Sequence, residues 1–156
     1  MSEGRYKRTL MDNTILAKHI MAPTDILVSE ELNITDLVKL LREKRIGGLP
    51  VIREGKMSGI VTVADVFKAL QIAQNMHFGK LLHHSKLFDV GKKMIRVKDI
   101  YQHKIISLLP ESPIEKVLES MVTHDLHTLP VMDKNQTSVY GVIGRHDVTW
   151  AIFGIQ

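Results

Sequence analysis

The sequence predicts a mixed α/β (α+β) fold in which one β-α-β-β-α unit occurs twice in tandem. Shifting the chain by 80 residues places Leu-Pro-Val at 49–51 on Leu-Pro-Val at 129–131 without a gap. Beyond the proline the shift becomes 82, and "GIVTVADV" at 59–66 matches "GVIGRHDV" at 141–148. A match that runs through both halves of the chain is typical of a duplicated structural unit.

The first repeat opens with a strand and an amphipathic helix. The apolar stretch "ILV" at 26–28 predicts the strand. Asn33 stands where the N-cap of the following helix is expected. The apolar residues at helical spacing are Ile34, Leu37, Val38 and Leu41.

The second repeat shows the same order. "SLL" at 107–109 predicts the strand, and "SPIE" at 112–115 predicts the start of the helix. Here Ser112 is expected as the N-cap, Pro113 as the first helical residue and Glu115 as the partner of the cap. The apolar stripe consists of Ile114, Val117, Leu118, Met121 and Val122.

Each of these helices is followed by two strands and a closing helix. The strands begin with "LPVI" or "LPVM", and the polar turns between them are "REGK" in repeat one and "DKNQTS" in repeat two. We expect the two extra residues of the second copy to lie in its turn. "TVADV" at 62–66 and "GRHDV" at 144–148 then open the closing helices.

The composition restricts the class of protein. With 44% hydrophobic and 24% charged residues, the chain is expected to fold around a core. No apolar stretch approaches the roughly 20 residues that cross a bilayer, and the first residues do not form a signal peptide. We therefore expect a cytoplasmic protein without a membrane partner. The absence of cysteine excludes disulfides and thiolate metal sites.

The repeated motifs resemble those of the CBS domain, named after cystathionine β-synthase. That family's pattern is a helix ending in hhPVh (h, apolar), a hairpin, Ghh[T/S]xxD and a closing helix. "GLPVI" with "GIVTVAD" follows the pattern closely, whereas "TLPVM" with "GVIGRHD" has Gly144 in place of the hydroxyl residue. Two such units in tandem resemble a Bateman module. This resemblance implies that the repeats pack through their sheets with pseudo-two-fold symmetry and bind adenine nucleotides in clefts between them.

The same resemblance implies which residues bind the ligand. Asp65 would take the ribose and Thr62 would touch the phosphate, with Asp147 and Gly144 at the matching positions. The adenine would lie against the opening strands and the residues before each Pro, although these residues suit a hydrophobic core equally well. The implied positions are Ile26, Leu27, Val28, Gly48 and Leu49 in repeat one, and Ile106, Ser107, Leu108, Thr128 and Leu129 in repeat two. Gly47 and Gly48 also fit a simple stop of the preceding helix.

Two interpretations remain open for "TVAD" and "GRHD". Thr62 and Asp65 fit a capping box, and they equally fit a phosphate and ribose site at a helix N-terminus. In the second copy Gly144 has no hydroxyl, so a reciprocal cap does not explain Asp147 well. Arg145 and His146 oppose the helix dipole there, which suggests that they face a phosphate or point into solvent. If the two sites differ, we expect the Asp65 site to be the more standard one.

The chain is expected to divide into an N-terminal extension 1–14, repeat one 15–75, an inserted helical linker 76–93 and repeat two 94–156. The linker carries apolar residues beside a basic face, so a homodimer contact around 66–88 is expected. His77, His83 and His84 lack an acidic partner at helical spacing. We therefore expect no metal site.

Three classes of function are compared. The first is a non-catalytic regulatory module that binds an adenine nucleotide, needs no cofactor and acts on a protein that the sequence does not identify. The second is a basic adaptor for nucleic acid or a protein partner, favoured by a net charge of +4 and a pI near 9.3 but lacking an aromatic stacking platform. An enzyme is disfavoured because no nucleophile with a base and no Walker A loop is found.

Overall fold

The computed structural model of the chain describes residues 15–75 and 95–155. The predicted extension 1–14 and the whole of the predicted linker 76–93, with its three histidines, lie outside the described residues. In chain order the elements are α1 Ala17–Ile20, β1 Ala22–Pro23, β2 Val28–Ser29, α2 Ile34–Lys44, β3 Gly48–Arg53, β4 Lys56–Thr62, α3 Val63–Asn75, a 3₁₀ helix Val97–Asp99, α4 Ile114–Thr123, β5 Thr128–Met132, β6 Val139–Gly144 and α5 Arg145–Phe153.

The described residues form two compact units. We call one the Asp65 unit, which comprises residues 27–75 and 95–105. The other is the Asp147 unit, which comprises residues 15–26 and 106–155. The mixed α/β architecture and its duplication, both predicted from the sequence, are confirmed.

Helix α2 begins as predicted but ends before the glycines. The Asn33 side chain accepts a hydrogen bond from the Thr35 N–H at 2.8 Å, which confirms the N-cap. The helix stops at Arg45, whose φ of 54° is left-handed, and the Ile46 N–H donates to the Leu41 carbonyl. The interpretation that Gly47 and Gly48 end this helix is therefore wrong, because the helix already ends at Arg45.

Helix α4 begins one residue later than predicted. Pro113 has an extended ψ of 154° because it pairs with Leu16, and the Ile114 N–H donates to the Ile15 carbonyl at 3.0 Å. The Ser112 hydroxyl instead accepts from the Leu109 N–H at 3.1 Å. The predicted cap at Ser112 is therefore wrong, since pairing with the α1 segment takes its place.

The two hairpins differ in their turns, as the change of shift predicted. Strands β3 and β4 are joined by Glu54 and Gly55, which both have positive φ, as a tight two-residue hairpin turn requires. The β5–β6 connection is longer, and the Asp133 carboxylate holds it by accepting from the Thr137 and Ser138 N–H groups at 2.7 and 2.6 Å. These hydrogen bonds, led by the one from Ser138, lower the pKa of Asp133.

Each unit is built on its hairpin. In the Asp65 unit β4 pairs with β3, and β2 lies parallel to β3 with Val28 opposite Val51. In the Asp147 unit β5 pairs with β6, and Leu108 forms a single parallel bridge to Val131. The opening strand predicted at 26–28 is thus a two-residue strand shifted toward Ser29, and the one predicted at 107–109 is reduced to this bridge.

The segments that open the two repeats, residues 15–26 and 95–105, each belong to the compact unit of the other repeat, and we call them the exchanged segments. Strand β1, from repeat one, pairs antiparallel with β6 of repeat two, with Ala22 opposite Val142. Gln102, from repeat two, forms an antiparallel bridge with Ile60 of β4, through backbone hydrogen bonds of 3.0 and 2.9 Å. The shifts of 80 and 82 make these two pairings equivalent. The compact units therefore differ from the sequence repeats at their opening segments.

The repeated glycine of the two motifs has a steric reason. A Cβ atom on Gly59 would overlap the Gln102 carbonyl oxygen, and one on Gly141 would stand 2.7 Å from the Ala22 carbonyl oxygen. Contacts under 3.0 Å are essentially never found for real Cβ atoms. Glycine is therefore required wherever the exchanged segment crosses the hairpin.

The core of each unit lies between its helices and its sheet. Val38 and Leu118, at equivalent positions of the predicted helical stripes, are instead exposed. The buried residues of the Asp65 unit include Val28, Ile34, Leu37, Leu41, Leu49, Val51, Ile60, Val61, Val66, Val97 and Tyr101. Those of the Asp147 unit include Ile15, Ala17, Leu108, Ile114, Val117, Met121, Leu129, Val131, Ile143, Val148 and Ala151.

Candidate functional site

The Thr62–Asp65 pair begins helix α3 with a capping box. Asp65 Oδ2 accepts from the Thr62 N–H at 2.8 Å and from the Thr62 hydroxyl at 3.0 Å. The Thr62 hydroxyl in turn lies 3.4 Å from the Asp65 N–H. The capping interpretation is therefore confirmed, and it leaves Asp65 Oδ1 as the oxygen that faces away from the cap.

Asp65 Oδ1 is occupied by a residue that the sequence did not suggest. The Gln102 side-chain amide donates to it at 2.7 Å. Gln102 is brought there by its backbone bridge to Ile60 at the end of the exchanged segment. In the sequence, the one sign of a special role for Gln102 is that the shift of 80 aligns this polar residue with the apolar Ala22 of the first repeat.

Asp65 and Gln102 line a cavity of about 330 Å³ within the Asp65 unit. This volume lies at the lower end of the range for small-molecule sites. Asp65 itself is only 5% exposed, so its carboxylate lies in the wall of the cavity rather than at its mouth. The remaining lining residues are Lys68, Ala69, Ile72, Ile95, Asp99 and Ile100.

Asp147 holds the equivalent place in helix α5. Its Oδ2 accepts from the Gly144 N–H at 2.7 Å. Gly144 lacks a side chain, so only half of the capping box forms, and this half is enough to explain why a carboxylate stands there. The reciprocal cap is absent, as the lack of a hydroxyl at Gly144 indicated, and the single hydrogen bond gives Asp147 its capping role.

Arg145 is partly buried and contacts the protein, whereas His146 is exposed. Arg145 Nε donates to the Leu126 carbonyl at 2.9 Å, and its Nη2 lies 3.3 Å from the Asp125 carboxylate. The His146 ring lies 5.6 Å from the Trp150 ring, one turn along the helix. The arginine therefore ties the start of α5 to the loop that follows α4.

A glycine and a threonine are interchanged between the two sites. Gly48 lies opposite Thr62 in the Asp65 unit, whereas Thr128 lies opposite Gly144 in the Asp147 unit. A Cβ on Gly48 would come within 2.9 Å of Thr62 Cγ2 and 2.8 Å of the Val61 carbonyl oxygen. Gly48 thus makes room for Thr62, which is a packing role.

Comparison with known proteins identifies the architecture. The family model of the CBS domain matches residues 17–72 and 97–154. The chain belongs to the CBS-domain family. The "Uncharacterized protein MJ1426" of Methanocaldococcus jannaschii is 24% identical, over 93% of this chain and 99% of that protein. The "SNF1-related protein kinase regulatory subunit gamma-1-like" of Arabidopsis thaliana is 30% identical over 82% of this chain, but this match spans only 29% of that protein.

Solved structures of CBS pairs share the fold. The CBS domain pair of MJ0100, in complex with 5'-methylthioadenosine and S-adenosyl-L-methionine, has a TM-score of 0.68 and 25% identity over 90% of this chain and 97% of that one. CBSX2 of Arabidopsis thaliana in complex with AMP has a TM-score of 0.61 and 24% identity over 88% and 96% of the two chains. The latter likeness shows the fold alone.

The other residues for which the resemblance implied ligand binding are either buried or partly exposed. Val28, Leu49, Leu108 and Leu129 are core residues, and Thr128 is buried as well. The partly exposed positions are Ile26, Leu27, Ile106 and Ser107. Ile26 belongs to the Asp147 unit and Leu27 to the Asp65 unit, so the chain crosses between the two units there. The Ser107 hydroxyl accepts from the Gln136 amide at 3.0 Å.

The described residues contain neither a metal-binding group of side chains nor a membrane-spanning helix. Within residues 15–75 and 95–155, no group of three or more His, Asp or Glu side chains is placed to hold a metal ion. None of the helices in these residues is long and apolar enough to cross a membrane.

Proposed function

We propose that this chain is a non-catalytic regulatory module that binds an adenine nucleotide at its two helix-capping aspartates. The observation that carries the proposal is the equivalence of Asp65 and Asp147, each three residues after the end of a hairpin in a CBS repeat. The carboxylates are short and fixed by backbone N–H groups. Such groups accept charge-assisted hydrogen bonds from ribose hydroxyls.

The ligands of the similar CBS pairs support the class of nucleotide. AMP, 5'-methylthioadenosine and S-adenosyl-L-methionine have an adenosine moiety in common, with an adenine and a ribose. 5'-Methylthioadenosine and S-adenosyl-L-methionine carry no phosphate, so we expect the adenine and the ribose to be the groups that the site recognises. The helix N-termini beside the aspartates favour a phosphate through the helix dipole where one is present. Arg145 adds to this, since its guanidinium has five N–H donors and uses two in the loop contact.

We further propose that the protein is a cytoplasmic homodimer. The support is an apolar groove of about 320 Å³ between α2 and α3 of the Asp65 unit. Phe67 at its rim is 72% exposed, which is costly for a large apolar side chain that meets only water. A second copy is the occupant that fits, because exposed apolar residues stand on the equivalent helices of the Asp147 unit as well. The groove is lined by Val38, Leu41, Arg42, Ile46, Val63, Val66, Phe67 and Leu70.

A ligand panel followed by calorimetry tests the nucleotide proposal. Adenosine, AMP, ATP, 5'-methylthioadenosine and S-adenosyl-L-methionine are compared with GMP by thermal shift. A ligand that binds only the folded protein at a hundred times its dissociation constant adds about 2.7 kcal/mol to the unfolding free energy. We expect at least one adenine ligand, and not GMP, to raise the melting temperature.

Substitution then ties the binding to the aspartates. Asp65→Asn and Asp147→Asn are expected to weaken the best adenine ligand by about tenfold or more, because a neutral amide is a weaker acceptor for ribose. Asp36→Asn is the matched control, since Asp36 lies in the first turn of α2 and outside both sites. Unchanged affinity in a folded double variant would contradict the proposal.

The basic adaptor remains the competing function. Its support is the net charge of +4 with a pI near 9.3. A flat nucleotide panel, together with single-stranded RNA binding that weakens steeply with salt, would replace the nucleotide proposal with this one.

A further inference from the structure

We propose that the Gln102 side chain is an intramolecular competitor for the Asp65 site, so that the two nucleotide sites differ in affinity and the Asp147 site fills first. This inference rests on the proposed function. It assigns a specificity-determining role to a residue outside both repeated motifs. It also reverses the expectation that the Asp65 site is the standard one.

The hydrogen bonds of Asp65 are the first part of the argument. Oδ2 is used by the Thr62 N–H and hydroxyl, and Oδ1 accepts the Gln102 amide at 2.7 Å. Because Asp65 is only 5% exposed, the Gln102 amide and a ribose hydroxyl compete for the little accessible surface of Oδ1. Ligand binding at Asp65 therefore costs a charge-assisted hydrogen bond before any contact is gained.

Asp147 presents the contrasting case. Its Oδ2 accepts from the Gly144 N–H, and among the described residues no donor is within hydrogen-bonding distance of its Oδ1. The side chain is also partly exposed. A ribose can therefore bond to Asp147 without displacing a protein group.

The difference between the sites originates in one pair of equivalent residues. Ala22 lies opposite Val142 on the edge of the Asp147 sheet, just as Gln102 lies opposite Ile60 on the edge of the Asp65 sheet. The paired positions are equivalent in the two units, but a methyl group stands in one and a carboxamide in the other. The competition is thus a property of the Gln102 side chain and not of the exchanged segment.

Reciprocal substitution tests the inference. In calorimetry with AMP, and with 5'-methylthioadenosine as a second probe, wild type is expected to show two unequal sites. The Asp147→Asn variant weakens the tighter one, so that the Asp65 site can be followed. Gln102→Ala in that background is expected to strengthen AMP binding about tenfold. The gain corresponds to the hydrogen bond between Gln102 and Asp65, which AMP then no longer has to break. Gln102 is exposed and keeps its backbone bridge as alanine, so the variant is expected to fold.

The matched variant places the competitor in the other unit. Ala22→Gln, in an otherwise unchanged protein, is expected to weaken the tighter site about tenfold and leave the weaker one unchanged. Two equal sites that neither substitution alters would overturn the inference while leaving the proposed function standing. Weaker AMP binding in Gln102→Ala would also overturn it, since Gln102 would then be a ligand contact. No binding of any adenine probe to wild type would overturn the proposed function, and this inference with it.

Discussion

Substitution of Gly59 by alanine tests whether the exchanged segment is held by close backbone contact. The new Cβ would overlap the Gln102 carbonyl oxygen and stand 2.9 Å from Tyr101 Cδ2. The segment would have to move off the hairpin. Its two backbone hydrogen bonds to Ile60, at 3.0 and 2.9 Å, would then be lost.

The magnitude follows from the bonds that break. Two backbone hydrogen bonds at about 1 kcal/mol each, with the Gln102–Asp65 bond to a charged acceptor, give a loss of about 3–5 kcal/mol in unfolding free energy. For a chain of this length the melting temperature should fall by roughly 10 °C. Circular dichroism melting of the purified variant measures this.

Gly55→Ala is the control for the loss of a glycine. Gly55 lies in the β3–β4 turn with a φ of 74°, and a Cβ on it would meet no neighbouring atom within 4 Å. Its substitution should cost about 1 kcal/mol through backbone strain alone. If Gly59→Ala melts within about 2 °C of Gly55→Ala, the close-contact argument is wrong.

Three further predictions concern stability, pH and assembly. Arg45→Gly should stabilise the protein by about 0.5–1 kcal/mol in urea unfolding, because Arg45 adopts a left-handed φ of 54° at the end of α2; no change would argue against strain there. Hydrogen bonds from Ser138 and Thr137 lower the pKa of Asp133, so its stabilising contribution is complete above the unfolded-state pKa of about 3.9 and is lost as the pH falls through the lower folded-state value. Urea unfolding between pH 6 and pH 3 should therefore show a smaller loss of stability for Asp133→Ala than for wild type, and parallel curves would refute this. Phe67→Glu should convert the proposed dimer to a monomer of about 17.7 kDa in light scattering, with Lys68→Glu as the control; a wild-type monomer at high concentration would remove the basis for the dimer.

Local features of the fold were predictable because short-range chemistry determines them. Asn33 was identified as a cap from its position before an apolar stripe, and the structure confirms it. The longer turn of the second hairpin is predictable because the interval from Pro130 to Gly141 is two residues longer than its counterpart in the first repeat. The cap expected at Ser112 failed because Leu16, almost a hundred residues earlier in the chain, pairs with Pro113 instead.

The site was predictable in part for the same reason. The Thr62–Asp65 capping box is a local motif, and its spacing revealed it. The Gln102 contact joins residues 37 positions apart and depends on backbone pairing, which leaves no periodic trace in the sequence. The repeated Gly59 and Gly141 are required by that pairing, but the sequence does not indicate which backbone segments pack against these glycines.

The exchange of opening segments has a consequence for how such a chain arises. Strand β1 completes the sheet of the later repeat, and Gln102 completes the sheet of the earlier one. A single repeat produced alone would leave one hairpin edge uncovered and one segment without a sheet. Two identical copies could supply each other with the missing piece, as in domain-swapped dimers. A chain with only one repeat would therefore need a second copy to complete its sheet, whereas two repeats in one chain supply both pieces at once.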